Sequence, residues 1–66
     1  MSEKQQVTDA FVDAFVTRLE ADREGVTTPS MRSALLKARA KATEVLSTKE
    51  YDEAVFRAFR LAGWEP

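Results

Sequence analysis

Carboxylates are the most plentiful reactive groups in this 66-residue chain. Asp9 and Asp13, and again Glu20 and Glu24, recur at helical spacing, and paired acids can divide general acid and general base work between them. That division requires burial or a cleft that splits their pKa values. These pairs fall on the polar side of a surface helix, so solvated surface is their expected role. The chain has no histidine and no cysteine, which removes the usual nucleophile–base pairs and the soft ligands of zinc, copper and iron–sulfur sites. Tyr51 stands alone and reads as an aromatic at the core edge with its hydroxyl in water. Gly25 and Gly63 also stand singly, so no glycine-rich loop cradles a phosphate. The expectation is a protein without enzymatic activity, with no catalytic residue, metal or cofactor.

A chain this short buries only about 60% of the surface its unfolded form exposes, and stability is marginal. No disulfide can add to it. Lack of cysteine fits a reducing compartment, and Met1-Ser2-Glu3-Lys4-Gln5-Gln6 has neither the apolar stretch of a signal peptide nor the length of a membrane span. A cytoplasmic protein with no membrane partner is expected. The net charge of −1 conceals an asymmetry. Residues 1–28 carry three Lys or Arg against six acids, residues 29–46 four (Arg32, Lys37, Arg39, Lys41) against Glu44, and residues 47–66 three against four. Acidic and basic helices complementing each other on one bundle is the plainest account.

The spacing predicts an all-α fold, a small three-helix bundle running up, down and up, with helices near 8–24, 29–46 and 48–62. Residues 1–7 are expected to form a flexible tail ahead of one domain over 8–66. The first helix is placed from Thr8, as cap, to Glu24 before Gly25, with Phe11, Val12, Phe15, Val16 and Leu19 on one side and Asp9, Asp13, Thr17 and Glu20 opposite. The second has Thr28 as cap and Pro29 at its first position. Met31, Leu35, Ala38, Ala42 and Val45 form its stripe, with Lys37 and Lys41 on one flank and Arg32 and Arg39 on the other. Ser47-Thr48-Lys49-Glu50 matches a capping box and opens a helix whose inner face is Tyr51, Ala54, Val55, Ala58, Phe59 and Ala62. Gly63 is the expected left-handed stop, with Trp64 folding back. The connection before this helix is so short that the second and third helices meet either in a tight turn or at a wide angle.

Function is read from what the core leaves over. Leu36, Ala40, Phe56 and Trp64 fall on outer or edge positions, and Phe56, Arg57, Arg60 and Trp64 are of the types enriched at interface hot spots. Local pairing with Glu53 is the simplest role for Arg57 and Arg60. The reading is a protein-binding module, an adaptor, modulator or inhibitor of a larger assembly, with Leu36, Ala40, Phe56, Arg57, Arg60 and Trp64 as the partner-binding set. Its partner is another protein chain, a second copy in a homodimer or a larger target, and a phage- or plasmid-type inhibitor fits the description. The alternative is a DNA-binding regulator of helix-turn-helix type using Arg32, Lys37, Arg39 and Lys41. That alternative suffers from cations split across two flanks and from Glu50, Asp52 and Glu53 in the first turn of the would-be recognition helix.

Overall fold

The computed structural model describes residues 2–64. Within them lie three helices, α1 (Glu3–Glu24), α2 (Pro29–Val45) and α3 (Thr48–Leu61), and no strand. No helix is long and apolar enough to cross a membrane.

Four of the boundary signals act as their residue types dictate. Gly25 and Gly63 take the left-handed conformation at φ 72° and 78° that ends α1 and α3 without a Cβ penalty. Past α3 the Gly63 amide donates to the Arg60 carbonyl and the Trp64 amide to the Phe59 carbonyl, which satisfies two of the terminal acceptors. The Thr28 hydroxyl accepts the Met31 amide at 3.2 Å with Pro29 just inside the helix. Ser47 and Glu50 form the reciprocal capping box, the Ser47 hydroxyl accepting the Glu50 amide at 3.2 Å and the Glu50 carboxylate accepting the Ser47 amide at 2.9 Å.

The start of α1 departs from expectation. Ser2, not Thr8, is the cap, accepting the Gln5 amide at 3.2 Å, and residues 3–7 are helical rather than a tail. Thr8 lies inside the helix, its hydroxyl donating to the Lys4 carbonyl one turn back. Glu3, Lys4, Gln5 and Gln6 are good helix formers, and Lys4 gains a tertiary partner by being helical. Its ammonium lies 3.2 Å from the Glu50 carboxylate at the head of α3.

That ion pair is the first of a series that fixes the topology. Lys4 meets Glu50, Asp9 meets Arg57, Phe15 meets Phe59 and Arg23 meets Ala62. The numbers rise together, so α1 and α3 are parallel, and α2 returns between them in the opposite sense. Both flanking helices pack on α1, whereas α2 and α3 touch little. Of the two geometries open to the short Leu46-Ser47 connection, the divergent one is realised.

The core is correspondingly thin. Phe11, Val12, Ala42, Leu46, Ala54 and Ala58 are buried, and among the described residues Phe11 is the only large side chain wholly enclosed. Its ring meets Phe15 edge-on at 5.6 Å and Tyr51 at 5.1 Å between centroids. Phe15, Val16, Leu35, Val45, Tyr51 and Val55 line this cluster but remain half-buried. A domain of this size is stable by roughly 3–10 kcal/mol, while truncating a buried phenylalanine to alanine costs about 3–5 kcal/mol. Phe11→Ala is therefore expected to abolish cooperative thermal unfolding or to lower its midpoint by at least about 15 °C. A circular-dichroism melt checks this, and a shift of only a few degrees would mean that the core does not centre on Phe11.

Candidate functional site

Leu36 is 61% exposed, Phe56 63% and Trp64 43%, and Ala40, Arg57 and Arg60 are exposed as well. All six side chains of the partner-binding set are therefore accessible, but they do not form one patch. Because α2 and α3 are regular helices, each side chain's direction follows from about 100° of rotation per residue. On α2, Leu36 shares a flank with Arg32 and Arg39, and Ser30, Ala34, Lys37 and Lys41 occupy the other. On α3, Phe56 shares a flank with Asp52 and Phe59, and Arg57 and Leu61 occupy the other. Ala40 and Arg60 point directly away from the core.

Two shallow grooves relate these flanks to one another. Val12, Val16, Arg57 and Leu61 line a groove of about 650 Å³ between α1 and α3. Ala14, Thr17, Ser30, Met31 and Ala34 line another between α1 and α2. Ala10 and Asp13 of α1 border both grooves, so both open on one side of the molecule, along the outer, acidic face of α1. The flanks bearing Leu36 and Phe56 are turned from those grooves. They share the opposite side, where α2 and α3 diverge. Leu36, Phe56 and the half-buried Phe59 thus belong to one face, and Arg57 belongs to the other.

Arg57 takes its counter-ion from α1 rather than from Glu53, with Asp9 at 3.6 Å. An exposed pair of this kind is worth about 0–1 kcal/mol; its effect is to hold register rather than to add stability. The cations of the nucleic-acid alternative keep their division, Arg32 and Arg39 on the Leu36 flank and Lys37 and Lys41 on the groove flank. Tyr51 is half-buried against Phe11, and Asp9, Asp13, Glu20 and Glu24 are exposed. Among the described residues no three acids, histidines or cysteines gather as a metal site would need.

At the open end of the bundle, the Trp64 ring lies 6.4 Å from that of Phe59 between centroids, and the Arg23 guanidinium lies 5.5 Å over the indole. The same guanidinium donates to the Ala62 carbonyl at 2.6 Å. One arginine thus ties the end of α1 to the end of α3 and holds Trp64 in place, leaving part of the indole in solvent. Trp64 is a seal and a surface at once.

At the other end, Glu50 is held below the ordinary glutamate pKa, first by the hydrogen bond from the Ser47 amide and then by Lys4. A carboxylate whose pKa is lower folded than unfolded stabilises the fold above its unfolded value, near about 4.3, and loses that contribution as pH falls through the folded value.

Sequence reasoning passed over Leu61, 61% exposed at the α1–α3 groove, and Val26, 54% exposed in the turn after α1. The signal for Leu61 was present, since it lies off the Ala54–Ala58–Ala62 stripe as Phe56 does. No protein-family model, curated protein or solved structure matches the chain. The reading of its surface therefore rests on the molecule itself.

Two measurements test these end clamps. Arg23→Met is expected to cost about 1–3 kcal/mol through the lost charged hydrogen bond and cation–π contact, lowering the melting midpoint by several degrees and moving Trp64 emission to the red. Unchanged emission would show that Arg23 does not hold the indole. Glu50→Gln keeps an acceptor for the Ser47 amide but removes the charge, so amide protection factors in the first turn of α3, taken relative to the intrinsic exchange rate at each pH, should fall between pH 5 and pH 2 in the wild type and stay flat in the variant. Parallel acid profiles would dismiss the Lys4–Glu50 link.

Proposed function

We propose that this chain is a small non-enzymatic module that works in the cytoplasm by binding another protein. The observation that carries the reading is the face between the diverging ends of α2 and α3, where Leu36 and Phe56 are more than 60% exposed beside half-buried Phe59. Single exposed apolar residues need no explanation, but several large ones on one side of a small protein mark an interaction surface. Chemistry at the surface supports the same reading. The acids lie in water, and the chain has neither histidine nor cysteine. A partner that covers this face acts by occlusion or by scaffolding, which is how an adaptor, modulator or inhibitor works without an active site.

Nucleic acid is less well served. Reading a duplex groove needs cations on one presented face, and here Arg32 and Arg39 are separated from Lys37 and Lys41 by the buried stripe of α2.

Photo-crosslinking tests the proposal inside the cell that expresses the protein. A crosslinker at position 36 or 56 should give discrete protein adducts, and one at Glu20, on the acidic outer face of α1, should not. Adducts of equal yield from all three positions, or none from 36 and 56, would overturn the reading.

A further inference from the structure

The extent of the uncovered surface, and the charges that border it, point to what covers it. A monomer of 7.4 kDa is expected to expose about 4,200 Å². This chain exposes 4702 Å², an excess of about 500 Å² over that scaling. Divergence of α2 from α3 leaves inner-face residues such as Phe15, Leu35, Val55 and Phe59 half-covered. A standard interface removes about 800 Å² per partner, more than enough to return each chain to the area expected for its mass.

The two edges of this face differ in a way that suits them to each other. On α2, Leu36 is flanked by Arg32 and Arg39, one turn before it and one turn after. On α3, Phe56 follows Asp52 by one turn, whereas Glu53 lies on the groove side with Arg57. Among the described residues, none of Arg32, Arg39 and Asp52 has an opposite charge within 4.0 Å. Within one chain the two edges lie side by side and cannot close on each other. A two-fold axis through the face brings the α2 edge of one copy onto the α3 edge of the other, and by symmetry the reverse, so each contact occurs twice.

We infer that the partner is a second copy of this chain, in a two-fold dimer that packs Leu36 of each protomer against Phe56 of the other, with Arg32 and Arg39 facing Asp52. The inference rests on the reading of this face as a protein-binding surface and names its occupant. Charge at the rim sets the pairing, and the apolar centre supplies the affinity. The arrangement also covers the half-buried Phe59.

Sedimentation equilibrium on the full chain tests it. The wild type should be a dimer at micromolar concentration, and Phe56→Glu should weaken dimerisation by at least about 30-fold, the effect of losing a hot-spot residue, while its helical circular dichroism is retained. A second experiment does not depend on that variant folding. The variants Arg32→Glu/Arg39→Glu and Asp52→Arg should each be monomeric alone. Mixing them should give a heterodimer, in which both symmetry-related contacts carry opposite charges, one of them with the signs exchanged. A wild type that stays monomeric at 100-fold higher concentration, or charge-reversed chains that dimerise as well alone as mixed, would overturn the dimer. Heterologous adducts from positions 36 and 56 would in that case keep the protein-binding reading intact with a different partner, whereas a monomer with no adducts would remove both.

Discussion

Both inter-helix interfaces of any size belong to α1, and they converge on Phe11. Among the described residues its ring is the one large side chain taken wholly from water, and it packs against Phe15 and Tyr51. Around it the buried positions of α2 and α3 are mostly alanine, with Ala42, Ala54 and Ala58 enclosed. Small residues let the backbones of both helices come close to α1, and the same small residues add little apolar volume of their own. A core built from one aromatic ring, Val12, Leu46 and three alanines is sufficient to align three helices, yet it leaves most of their larger side chains at the margin. The uncovered face follows directly from this choice of residues.

The polar contacts have a different task. Lys4–Glu50, Asp9–Arg57 and Arg23–Ala62 are spaced along the length of the parallel α1–α3 pair. Each is partly solvated, but α3, whose fully buried positions are alanines, could otherwise slide along α1. The three ties occupy one end, the middle and the other end, so a shift of α3 by a single turn breaks all of them together. Register is specified by polar groups where packing alone specifies it poorly.

Much of this was legible from residue order. The apolar stripes of α1, α2 and α3, the stops at Gly25 and Gly63, the Thr28-Pro29 start and the Ser47 capping box are local features, each decided within a turn or two of chain, and each is where its residues imply. The start of α1 was also written locally, in Ser2-Glu3-Lys4-Gln5, but Thr8 is a competing cap nearer the first apolar stripe. Lys4 reaching Glu50 resolves the competition, and that contact spans 46 positions. The same limit applies to the candidate surface. Exposure of Leu36 and Phe56 follows from their own helices, whereas their sharing a side, and the transfer of Arg57 to the opposite one through Asp9, depend on how two helices are set against a third.

Helix α2 has a role that its sparse contact with α3 would not suggest. Parallel helices cannot be joined by a tight turn, so the chain must travel back along α1 before α3 can begin. Seventeen residues of α2 cover about 25 Å, the length that returns the chain from Thr28 to the level of Lys4. Thus α2 is a ruler as well as a wall of the bundle: its length, independent of its side chains, determines where on α1 the third helix is set down. Removal of one helical turn from α2 would deliver Glu50 about 5 Å short of Lys4 and put every later tie out of step, with no core residue altered.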